Sequence, residues 1–237
     1  MFINRLEPVE AATQFISQYF ANCQGAVLAG SVVRGEATKT SDLDIVVFIK
    51  DVPSPYRESL LAGGWPIEIF VHNLSSYRNY FDMDRKRAKP SLPRMVAEGL
   101  VLKDEGIMVS IQEEAKLLLA DGPERWSAEN IMIKRYFITD ALEDFIGSTN
   151  SAEEIFIANT LAELVSEFIL RTNGKWIGTS KWVIRSLKNY DEQFTEQFVE
   201  AFDFYYKTRN KEKVIDLVHF VLKPFGGPLF EGFSIGK

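Results

Sequence analysis

The feature that most constrains this chain is the stretch from Gly30 to Ile49, GSVVRGEATKTSDLDIVVFIK without its last lysine. It ends in an unbroken apolar run, Ile45 to Ile49, that reads as a buried strand. Two carboxylates, Asp42 and Asp44, stand at its start, and a small-residue loop with Gly30, Ser31 and Gly35 stands upstream. Residues i and i+2 of a strand share a face, so the two aspartates converge on one point. Paired carboxylates repel, and burying one without a partner is costly, so the pattern asks for a cation. Oxygen-only ligation suits a hard divalent ion such as Mg²⁺, which shares its coordination with substrate phosphates.

A third acid has a related setting. In WPIEIFVHN, Ile67, Ile69 and Val71 alternate with Glu68, Phe70 and His72. Glu68 joins the aspartate face if its strand pairs beside theirs. Three carboxylates then suit a metal-assisted displacement at phosphorus. Gly30 and Gly35 permit close backbone approach. Ser31, placed after a strand at 26–29, reads as the N-terminus of a helix and hence as a phosphate-binding arrangement. The segment lacks the glycine–lysine–serine/threonine ending of the P-loop.

The remaining pattern divides the chain near residue 121. Before it, a helix over 8–22 and strands over 26–29, 43–49, 66–72 and 100–103 alternate with helices over about 75–85 and 107–120, with Ser75 or Ser76 as cap. After it, helices are expected over about 124–147, 151–173, 179–189, 191–208 and 210–222. The fold class is therefore α+β: a mixed-sheet domain over 1–121 followed by a helical bundle over 122–237. The closing PFGGPLFEGFSIGK reads as an irregular packed tail.

Composition narrows the partners. The chain of 237 residues is 46% hydrophobic with a net charge of -6, a poor balance for long nucleic acid but compatible with a small nucleotide. The one cysteine, Cys23, excludes an internal disulfide and reads as a buried small side chain. No apolar stretch approaches the ~20 residues of a membrane span, and the first fifteen residues carry no leader pattern. The expectation is a cytoplasmic protein.

These residues resemble a known family. Gly30-Ser31, Asp42-x-Asp44 and the later Glu68 are similar to the signature of the nucleotidyltransferase superfamily that includes DNA polymerase β, over about residues 26–72. GSVVRGEATKTSDLDIVV is similar to its version in small bacterial nucleotidyltransferases. The two-domain layout resembles antibiotic adenylyltransferases such as the kanamycin and streptomycin/spectinomycin enzymes. The resemblance implies attack of an acceptor hydroxyl on the α-phosphate of a nucleoside triphosphate, ATP by default, with release of pyrophosphate. It implies that Asp42 and Asp44 hold Mg²⁺, with Glu68 as a further ligand or as general base. It also implies nucleotide contacts from Gly30, Ser31, Gly35 and Ser41, with Ser31 at the β- and γ-phosphates. The acceptor is expected to be small and hydroxylated, of the aminoglycoside kind. The rival readings are an antitoxin-like member acting on a protein and a nucleotide-sensing regulator.

The helical half adds RTNGKWIGTSKWVIRSLKNY. Thr179 or Ser180 can cap a helix whose first turn holds Lys181, a position the helix dipole disfavours for a cation. The similar segment of antibiotic adenylyltransferases supplies a lysine to the triphosphate, which places nucleotide between the halves. Arg185 follows one turn later. Two acid pairs four apart, Asp140/Asp144 and Glu163/Glu167, could line a cationic acceptor or belong to a solvated stripe. Arg85-Lys86-Arg87-x-Lys89 reads as a solvated helix end, and His72 and His219 as structural.

Overall fold

The computed structural model describes residues 5–236; the leader reading at the N-terminus falls partly outside them. The chain divides into two compact units, one ending at Gly122 and the other beginning at Pro123.

The first unit is a five-stranded mixed sheet with helices on both faces. Its elements run α1 (Pro8–Tyr19), β1 (Gly25–Ala29), β2 (Leu43–Phe48), β3 (Tyr56–Ala62), β4 (Trp65–His72), α2 (Ser76–Lys86), α3 (Ser91–Glu98), β5 (Leu100–Asp104) and α4 (Met108–Asp121). The strand order is β3-β4-β2-β1-β5. β2 and β4 are parallel, and the remaining pairs are antiparallel. Alternation decides which side chain goes to which layer. Leu43, Ile45, Val47, Ile67, Ile69 and Val71 pack with Ala12, Phe15 and Ile16 of α1. On the other face Val46 and Phe48 pack with Tyr77, Phe81, Val96 and Ile111 of α2, α3 and α4, joined by Phe70.

Two elements were not expected from the sequence. β3 is an edge strand whose side chains are mostly exposed, so it offers no hydrophobic run to read. It is joined to β4 by the two-residue turn Gly63-Gly64, with φ of 58° and 80°. α3 takes its N-terminal hydrogen bond from a distant residue: Leu92 N–H donates to Oδ2 of buried Asp84 at 2.9 Å. Arg87 closes the other side of that carboxylate at 2.5 Å.

Two local expectations are corrected. Ser31–Gly35 is a turn rather than a helix start, with Glu36 N–H donating to the Ser31 carbonyl at 2.9 Å. Ser75 stands at the N-cap of α2 but makes no capping hydrogen bond through its side chain; Asn73 Oδ1 accepts from the N–H groups of Ser75 and Ser76 instead. The start of β2 is as expected: Asp42 precedes Leu43, its first residue, and Asp44 lies within the strand.

The second unit contains α5 (Ala128–Gly147), α6 (Ser151–Thr172), α7 (Lys181–Tyr190), α8 (Glu192–Thr208), α9 (Glu212–Leu222) and a 3₁₀ turn Lys223–Phe225. α5 starts four residues later than expected because Ser127 caps it, accepting from Asn130 N–H at 3.1 Å. Trp126 lies against the cations of Lys134 and Arg171. The tail packs along α5. Arg135 donates to the carbonyls of Gly226, Gly227 and Pro228, and Tyr136 stacks on Phe233 with centroids 3.8 Å apart.

Candidate functional site

The parallel register places Asp44 of β2 directly opposite Glu68 of β4, while Ala29 flanks Asp44 on β1. Asp44, Val46 and Phe48 share a face by alternation, as do Glu68 and Phe70. The helices cover the apolar members of that face; the carboxylates are half-buried. Asp42 joins them from just ahead of β2. One carboxylate oxygen from each of Asp42, Asp44 and Glu68 lies within 4.8 Å of the others.

The electrostatics match this crowding. Burial pushes the Asp44 carboxyl up to about 6, with smaller upward contributions from the charges of Asp42 and Glu68. The guanidinium groups of Arg34 and Arg57 oppose that rise. A low-dielectric wall and three like charges favour either a proton or a metal ion.

Gly30 makes the room. Its φ is 80°, and a Cβ there would stand 2.1 Å from Oδ2 of Asp44. The backbone after β1 thus turns sharply across the carboxylate, which only glycine permits at this distance. Gly35 ends the same turn with φ of 70° and open space around it. Ser31 Oγ donates to Ser41 Oγ at 3.0 Å, and Ser41 Oγ accepts from Thr38 N–H at 2.8 Å. These two serines tie the glycine turn to the segment leading into Asp42.

The match of residues 11–79 to the family model of the nucleotidyltransferase domain coincides with this sheet and its three acids. Residues 11–79 thus carry a nucleotidyltransferase domain. Its oxygen-only, closely spaced donors have the chemistry of a divalent-ion site. Among solved structures the whole chain is similar to a nucleotidyltransferase-like protein from Exiguobacterium sibiricum 255-15 at 11% identity and a TM-score of 0.47, covering 91% of this chain and 73% of that one. No curated protein matches it.

Two residues near the nucleotidyltransferase triad escaped the sequence reading. Arg57, on edge strand β3, forms an ion pair with Glu68. Its signal was a lone arginine in a strand that itself had not been recognised. Arg34, inside the GSVVRG segment, pairs with Glu36 at 3.2 Å and with Glu98 of α3 at 3.5 Å.

The other expected contacts belong to the second unit. Lys181 is exposed and opens α7. Ser180 does not cap that helix through its hydroxyl; it has φ of 54°, and backbone bonds from Trp182 to Thr179 and from Val183 to Ser180 close the turn. Arg185 lies over the Trp182 ring at 4.8 Å. Glu167 pairs with Lys134 at 2.6 Å, so it is part of the packing between α5 and α6. Glu163, Asp140 and Asp144 are exposed. His72 is buried, T-shaped against Tyr80, and its pKa is lowered by burial to about 4, as befits a structural histidine. No helix among the described residues is long and apolar enough to cross a membrane.

Proposed function

We propose that the protein is a Mg²⁺-dependent nucleotidyltransferase that moves a nucleoside monophosphate, from ATP by default, to a hydroxyl of a small acceptor and releases pyrophosphate. The observation that carries the reading is the approach of Asp42, Asp44 and Glu68 oxygens within 4.8 Å beneath a glycine that leaves the carboxylates open.

In this reading Asp42 and Asp44 hold the ion. Bound Mg²⁺ supplies charge compensation for the phosphates and acidifies an oxygen nucleophile. Glu68 completes the ligand set or takes the acceptor hydroxyl proton as the P–O bond forms. The Ser31 hydroxyl and the N–H groups of the Gly30–Gly35 turn face the phosphates, and Ser41 holds that turn in register. Lys181 compensates the charge of departing pyrophosphate, with Arg185 as a further cation. Asp140, Asp144 and Glu163 give a cationic acceptor, such as an aminocyclitol, an acidic surface. A cytoplasmic site of action agrees with the single, buried cysteine.

The test is pyrophosphate release with ATP, GTP, CTP and UTP against a panel of hydroxylated acceptors. Expected is Mg²⁺-dependent release with at least one pair, abolished by EDTA and by Asp42→Asn/Asp44→Asn. Calorimetry with ATP should show the same dependence. Equal ATP affinity in EDTA would remove the metal from the reading.

A further inference from the structure

The ion pair between Arg57 and Glu68 raises a question that the metal-centre reading leaves open. Glu68 Oε2 is engaged by Arg57 Nη2, yet a Glu68 oxygen belongs to the three-acid cluster. A guanidinium and a divalent cation cannot both lie against the same carboxylate oxygens without strong repulsion.

The pairing is built by the sheet. Arg57 stands opposite Phe70 in the antiparallel β3–β4 ladder, and Glu68 is two residues from Phe70 on the same face. Arg57 and Glu68 are therefore diagonal neighbours, within reach for long side chains. The arginine is 59% exposed and Glu68 24%, so the pair can open toward solvent without leaving a buried charge behind. The Arg57 guanidinium also lies over the Phe70 ring, 5.0 Å from its centroid. A planar cation can keep that ring contact when it gives up the carboxylate.

We propose that Arg57 is a built-in competitor for the metal: it neutralises Glu68 in the metal-free protein and yields that carboxylate, staying over Phe70, when a divalent ion binds. The inference rests on the metal-centre reading. Its consequence is that this chain binds its ion more weakly than the three acids alone dictate, so that the added charge of a nucleotide is needed to fill the site.

The experiment is a Mn²⁺ titration, by calorimetry and by electron paramagnetic resonance, of the full chain and three variants: Arg57→Gln, Glu68→Gln and the double variant. Circular dichroism confirms folding, and Arg57→Lys serves as the conservative control. Direct competition predicts that Arg57→Gln tightens Mn²⁺ about two- to five-fold, the scale of an exposed ion pair. Arg57→Lys should stay nearer wild type, and Arg57→Gln should gain nothing in the Glu68→Gln background. An unchanged affinity overturns the inference while leaving the metal centre intact. So does an equal gain in both backgrounds, which is the signature of a general field. A wild-type protein that binds no Mn²⁺, with or without ATP, overturns the metal-centre reading and the inference with it.

Discussion

Gly30 and Asp44 are in a contact that no side chain on residue 30 could share: an added Cβ would fall 2.1 Å from the Asp44 carboxylate. Gly35 provides an internal control, because it has nearly the same backbone angle and empty space around it. Alanine at either place carries the left-handed strain, about 1–2 kcal/mol. Gly35→Ala should therefore lower thermal stability modestly and leave Mg²⁺-dependent ATP binding close to wild type. Gly30→Ala should in addition lose that binding by ~10-fold or more. Equal losses in the two variants would show that the turn matters and the crowding does not.

Asp44 and His72 oppose each other in acid. With Asp44 at about 6 in the folded, metal-free protein and about 3.9 unfolded, the folded state holds more protons between those values. Its contribution to stability falls as pH rises through that window. His72, at about 4 folded and about 6.5 unfolded, contributes in the reverse sense: its stability is present above about 6.5 and is lost as pH falls. Asp44→Asn removes the first effect alone. In EDTA at pH 7.5 the variant should be more stable than wild type, on the order of 1–3 kcal/mol, and should lose more stability on acidification to pH 4.5. Mg²⁺ with ATP should raise the wild-type melting temperature and leave that of the variant unchanged.

Glu68 sits in a part-exposed ion pair, which contributes little to folding, roughly 0–1 kcal/mol. Glu68→Gln should keep its melting temperature within a few degrees and lose nucleotidyl transfer by ~10²-fold or more, the scale of a lost ligand or proton acceptor. Unimpaired transfer would reduce Glu68 to a structural residue.

Lys181→Ala should weaken ATP by about 10- to 150-fold, the worth of one charge-assisted contact. AMP binding should change little, since AMP lacks the phosphates that an ammonium would meet. An equal effect on ATP and AMP, or none on either, would make Lys181 an ordinary surface lysine.

The acids were legible in the sequence because two of them interrupt, and one precedes, strands with strong apolar character; a charge in such a place calls for a partner. The pairing of β2 with β4 was stated there only as a condition. The parallel ladder satisfies it by putting Asp44 opposite Glu68. What escaped was whatever depended on residues distant in sequence. The cap of α3 is a buried aspartate on α2, so no local signal marked the helix. β3 faces solvent on much of both sides, and with it Arg57 went unseen. Gly63-Gly64 stands just before the strand expected over 66–72, and a glycine pair between two extended runs is a hairpin signal. Glu163/Glu167 was read as one acidic face, but Lys134 on α5 claims Glu167, and a helical wheel drawn for α6 alone cannot show that.

The Gly63-Gly64 turn has one more effect. By pairing Ala62 with Trp65 it fixes each later pair of the ladder, so that Arg57 and Ser59 face the carboxylate side while Tyr56 and Glu58 face the other. Sliding β3 by one residue against β4 would exchange the two sets. Glu58 would then point to the side where Asp44 and Glu68 already stand, and the edge strand would bring a negative charge in place of a positive one. The sign of the charge that β3 brings to the acids is thus set by the register that an uncharged turn holds.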